Sequence, residues 1–78
     1  MPNALYKKLI ATMAPYIGED TAFGALDRQL TRCRATADTV SVDQLRGVLE
    51  YLTASATLYL HPDKGKQAEL AGKIEAAL

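Results

Sequence analysis

Residues 41–60 read SVDQLRGVLEYLTASATLYL, and this run sets the secondary-structure class of the chain. Ser41 followed three residues later by Gln44 is a capping box, the reciprocal pairing that satisfies two free N–H groups at a helix start. Val40 and Leu45 stand where a hydrophobic staple would brace that start. Behind the cap, Leu45, Val48, Leu49, Leu52, Ala56 and Tyr59 recur at helical spacing and define one face. Tyr51 and Leu58 are seven residues apart and lie along a different line of the same helix. Nothing from Tyr51 to Leu60 is charged, so this helix is expected to meet neighbours on more than one side. Gly47 is its weak point, costing about 1 kcal/mol relative to Ala in a helix interior. The run predicts one helix over 42–60.

Working outward, the same period continues in both directions. Upstream, Phe23, Leu26, Leu30, Cys33 and Ala37 step by three and four, and Glu19, Asp20 and Thr21 supply acids and a cap. That predicts a helix over 20–37, with Asp27, Arg28, Gln29 and Arg32 on its wet side. Before it, Asn3 can cap a helix carrying Leu5, Leu9 and Met13 on one line. Pro15 is expected to end that helix near residue 14, and Gly18 can take a positive φ after it. Downstream, His61-Pro62-Asp63 breaks the pattern, and Leu70, Ile74 and Leu78 step by four over a last helix at 63–77. No segment alternates as a strand does. The expectation is an all-α fold, a compact bundle of four short helices in a single domain over 1–78.

Composition excludes several classes. The chain has 78 residues, 9 basic and 9 acidic side chains, and 49% hydrophobic residues, which is too apolar and too neutral for a disordered chain. One Cys rules out an internal disulfide, and one Cys with one His does not make a structural zinc site. No uncharged stretch approaches the roughly 20 residues of a membrane span. The start, with Lys7 and Lys8, lacks the apolar run of a secretory signal, so a soluble, cytoplasmic setting is expected. Residues 1–34 carry five bases and three acids, and residues 35–78 carry four bases and six acids. This mild asymmetry suits head-to-tail contact between copies more than a polyanion.

No set of side chains reads as catalytic, and no cofactor or metal is expected. Cys33 lies on the apolar seam and His61 at a helix end, without a third group to orient a thiolate–imidazole pair. The glycines are not grouped as a phosphate loop. Arg28, Arg32 and Arg34, with Lys7 and Lys8, form a basic cluster that would serve a small nucleic-acid-binding regulator, but the neutral chain argues against it. What remains is apolar surface. Tyr6, Ile10, Tyr51 and Leu58 fall outside the main seams and are the candidate interface residues. The expected function is a non-enzymatic helical interaction or adaptor module that binds a protein, a second copy included.

Two resemblances add to this. His61-Pro62-Asp63, with Lys64, resembles the signature loop of J-domain co-chaperones, which implies an alternative role in stimulating an Hsp70 ATPase through those three residues. Here Arg46 is the sole base between 41 and 60, whereas the corresponding J-domain helix is basic. Residues 9–18, ending Pro15-Tyr16-Ile17-Gly18, followed by a helix and then the capped Val42-Asp43-Gln44-Leu45, are similar to a short helical domain. It is found beside Roadblock/LC7 modules and at the ends of bacterial Ser/Thr kinases. Glu19-Asp20-Thr21 stands where that domain has Pro-Ile-Ala. This resemblance implies a regulatory, bacterial adaptor role and assigns no functional residue.

Overall fold

Asn3 opens the first helix, α1 (Ala4–Ile17), in a computed structural model that describes all of residues 1–78. Its side-chain oxygen accepts from the Tyr6 N–H at 2.9 Å. Pro15 lies inside the last turn, and the helix runs on to Ile17 instead of stopping near 14. Proline removes the donor for the Ala11 carbonyl, but Ala11 and Pro15 are both exposed, so water can satisfy it. Gly18 alone joins α1 to α2 (Glu19–Arg32). Its N–H donates to the Ala14 carbonyl, and its own carbonyl accepts from the Ala22 N–H. Its φ of 85° and ψ of 154° lie in a region open essentially to glycine alone.

The second helix ends at Arg32, short of the expected 37, because a Schellman motif closes it. The Arg34 N–H donates to the Thr31 carbonyl and the Ala35 N–H to the Leu30 carbonyl. Arg34 holds φ 57°, the left-handed position that glycine usually fills. The loop that follows is tied to the start of α1. The Asn3 N–H donates to the Ala37 carbonyl at 2.8 Å, and the Asn3 amide donates to the carbonyls of Val40 at 2.8 Å and Asp38 at 3.3 Å.

The capping box forms: the Gln44 N–H donates to Ser41 Oγ, and the Ser41 N–H donates to Gln44 Oε1. Val40 and Leu45 are both buried, as the staple requires. The run expected as one helix is two, α3 (Val42–Gly47) and α4 (Leu49–Leu58). Val48, at φ −119° and ψ 14°, interrupts them next to Gly47, where the backbone gains least from staying helical. Asp63 caps α5 (Lys64–Ala76) by accepting from the Lys66 N–H at 3.0 Å. The chain is all-α, with five helices where four were expected.

The four longer helices close a ring in which α1 packs on α2, α2 on α4, α4 on α5 and α5 on α1. Neighbours are antiparallel. Tyr6, early in α1, meets Phe23 and Asp27 in α2. Arg28 and Arg32 of α2 meet Tyr59 and Tyr51 in reverse order. Gln67, early in α5, donates to the Thr57 carbonyl late in α4. This is an up-and-down bundle, with α3 as an added turn before the third long helix. Leu9, Met13, Leu26, Leu45, Leu52, Leu70 and Ile74 are the largest side chains sealed in its core. No helix is long and apolar enough to cross a membrane.

Each helix in a ring touches two neighbours, so its buried sector is wider than a single line of residues. Tyr6 and Ile10, expected outside the seams, are buried: α1 turns them toward α2 and its Leu5 side toward α5. On α2 the buried sector is rotated toward α4. Ala22, Ala25 and Gln29 are inside, whereas Phe23 and Cys33 are only partly covered. Gln29, expected to be wet, is buried, and its Oε1 has no hydrogen-bond partner. Tyr59, expected in the core, stays half exposed.

Candidate interaction surface

The outer face of α4 is uncharged from Tyr51 to Leu58. Tyr51 is 52% exposed, Leu58 68% and Tyr59 51%. With Met1 they are the large hydrophobic side chains left outside. Tyr51, Ala54 and Leu58 follow at i, i+3 and i+7, so they stand in one line along the helix, and Ala54 is exposed as well. The opposite side of α4 carries Leu52 and Ala56, both fully buried. An outward line of this kind has no role in closing the monomer core.

Two arginines from α2 frame this line on one flank. The Arg32 guanidinium carbon sits 4.1 Å from the centre of the Tyr51 ring, a cation–π contact. Arg28 donates from Nη2 to the Tyr59 hydroxyl at 3.2 Å. Both arginines are exposed, and they join α2 to α4 across the edge of the patch. On the other flank, Glu50 is exposed beside the shallow groove between α4 and α5, together with Arg46 and Glu75. Arg46 donates to the Leu78 carbonyl at 2.8 Å. The chain's two ion pairs, Met1 amino group with Asp38 and Lys73 with Glu69, involve neither Arg32 nor Glu50.

The remaining residues singled out in the sequence fall elsewhere. Tyr6 is part of the α1–α2 contact. Its hydroxyl donates to the Asp27 carboxylate at 2.8 Å, and its ring lies 6.1 Å from that of Phe23. Burial first, then the hydrogen bond to Asp27 and its negative charge, push the Tyr6 phenol up to about 12. His61, Pro62 and Asp63 are exposed at the turn between α4 and α5, where Asp63 serves as the cap of α5. Cys33 is partly buried and its thiol faces the Leu30 carbonyl. On the far side of the bundle, the Tyr16 hydroxyl donates to Glu69 at 2.6 Å. That bond is the chief reason the Glu69 carboxyl is held below the usual range.

The sequence picked out Tyr51 and Leu58 because a charge-free helix carried them off its main face. It did not pick out Arg32, Glu50 or Tyr59 as members of the same surface. Their grouping depends on α2 and α5 being the two neighbours of α4, which no local pattern states. The fold does not bring Tyr6 and Ile10 to this surface. Comparison of the chain with protein-family models, with curated proteins and with solved structures finds no match.

Proposed function

We propose that the chain is a non-enzymatic helical interaction module and that the outer face of α4 is its docking surface. One observation carries this reading: Tyr51, Ala54 and Leu58 form an exposed, uncharged line beside Arg28, Arg32 and Tyr59. Tyrosine and arginine dominate the binding energy of protein interfaces because they combine large area with polar tips. A fully buried large apolar side chain contributes roughly 1.5–3 kcal/mol, so covering Tyr51 and Leu58 alone gives a partner a substantial gain. A regulatory adaptor role in a bacterial cytoplasm accords with the likeness of residues 9–18 to the domain beside Roadblock/LC7 modules.

The test is a photo-cross-linking amino acid placed at Ala54 in cells. The expected result is one discrete protein adduct, identified by mass and abolished by Tyr51→Glu with Leu58→Glu. The same probe at Glu19, on an exposed position of α2, should give no such adduct. If position 54 gives no adduct, or one indistinguishable from position 19, the α4 face is not a docking surface.

A further inference from the structure

We propose that the occupant of this face is a second copy of the same chain. The two α4 helices lie parallel about a twofold axis, and Arg32 of each copy pairs with Glu50 of the other. The inference rests on the docking reading above and narrows it to one partner and one orientation.

Charge complementarity across a line of symmetry selects this arrangement. Arg32 and Glu50 are both exposed, and neither has an ion partner within the chain. They sit on opposite flanks of the apolar line. Arg32 comes from α2 on one side, and Glu50 borders the groove toward α5 on the other. They also sit at the same height, since Arg32 lies on the ring of Tyr51 and Glu50 is the residue before it. Stacking on Tyr51 occupies a face of the guanidinium and leaves its in-plane N–H donors free for a carboxylate.

A twofold axis along α4 keeps height and exchanges flanks. Arg32 of one copy then faces Glu50 of the other, and the pair is made twice. A twofold axis across α4 keeps flanks and reverses height. It would set the Arg28–Arg32 edge against its own copy, with like charges opposed. Only the parallel arrangement uses both free groups. Between the pairs, Ala54 is small enough for the helices to approach to the usual axial separation of about 8–10 Å. Tyr51 and Leu58 then cover their counterparts, as an isologous interface requires.

The area bounds the strength. A standard interface covers about 800 Å² on each partner, roughly a sixth of this chain's 4662 Å² surface. The α4 face with its two flanks reaches that size only if the edges of α2 and α5 take part. A dimer that forms in the micromolar range and weakens with salt is the expectation.

Sedimentation equilibrium over about 10–500 µM tests this on wild type, Arg32→Glu, Glu50→Arg and the double reversal. Circular dichroism checks that each variant keeps its helices. Each single reversal is expected to weaken the dimer by about tenfold or more, and the double reversal to recover most of that loss. Orientation is read with a short bismaleimide linker on Leu58→Cys in a Cys33→Ser background. Leu58 is exposed and stands on the apolar line itself, at the end of α4, so only a parallel pairing sets it against its own copy. The parallel dimer brings the two thiols together and yields a covalent dimer. A wild type that stays monomeric overturns the inference and leaves the docking surface itself to the cross-linking test. A dimer in which the double reversal is no tighter than the single ones, or in which position 58 gives no covalent dimer, overturns it too.

Discussion

Replacing Asn3 with alanine is expected to cost about 2 kcal/mol, because this one side chain is both a helix cap and a loop clamp. The cap is the Tyr6 N–H bond to its oxygen, and losing an Asn cap costs about 1 kcal/mol. The clamp is the amide bond to the Val40 carbonyl at 2.8 Å, partly buried, whose loss costs about 1 kcal/mol more. The amide bond to Asp38 is longer and exposed, and adds little. The Asn3 backbone bond to Ala37 survives substitution. In a domain of this size each kcal/mol lowers the melting temperature by roughly 4–8 °C, so Asn3→Ala should melt about 8–16 °C below wild type. Urea titration followed by circular dichroism gives the free energy directly, with an unchanged slope. Asn3→Asp separates the two roles. It keeps the capping oxygen but sets a carboxylate against two carbonyls, so it should still be destabilised. A loss of no more than about 1 kcal/mol in Asn3→Ala, which the cap alone accounts for, would remove the clamp from the account. Asn3→Asp as stable as wild type would show that the Val40 contact is idle.

Other outcomes follow from buried groups. The Tyr6 phenol, raised to about 12 from an ordinary 10, binds its proton more tightly when folded. Its contribution is therefore complete below pH 10 and is lost between pH 10 and 12, a fall of roughly 3 kcal/mol that Tyr6→Phe should flatten in alkaline denaturation curves. Gln29→Met removes the unpartnered Oε1 at similar volume, and should raise stability by about 1 kcal/mol in the same urea assay. A drop would mean that this oxygen is satisfied. Leu30→Glu puts a charge against the core and should abolish the helical signal, while Tyr51→Glu with Leu58→Glu should keep it. If the outward pair unfolds the chain as Leu30→Glu does, the α4 face has been assigned to the wrong side.

Three helix starts were the most legible feature, because caps are local chemistry; the cap expected from Glu19-Asp20-Thr21 does not form, since α2 opens on Gly18 without a side-chain bond. Asn3, Ser41 with Gln44, and Asp63 each sit within three residues of the N–H they satisfy. Helix ends were less so. Nothing marks Arg34 as the residue in left-handed conformation, since a Schellman motif without glycine has no compositional signal. The apolar seam through Cys33 and Ala37 continues past the true end because the loop also lies on the core. Pro15 misled in the other direction, because its lost hydrogen bond falls on an exposed carbonyl. For the docking surface, Tyr51 and Leu58 were readable from a helix with no charges to spare for a solvated face. Tyr6 and Ile10 were not. A line of Leu5, Leu9 and Met13 looks sufficient until α1 is known to have two neighbours instead of one.

Gly18 also bears on the order in which the bundle assembles. A reversal through one residue closes almost no loop, so α1 and α2 can pair with little loss of chain entropy. The link between α1 and α5 spans 53 residues from Tyr16 to Glu69, and it must wait for the rest. Folding is expected to nucleate in the first hairpin and finish with α5 docking into the ring, on the microsecond-to-millisecond scale of helical bundles. Amides of α5 should then exchange with solvent ahead of those of α1 and α2, and the seat of Leu70 and Ile74 is the part of the core that opens first.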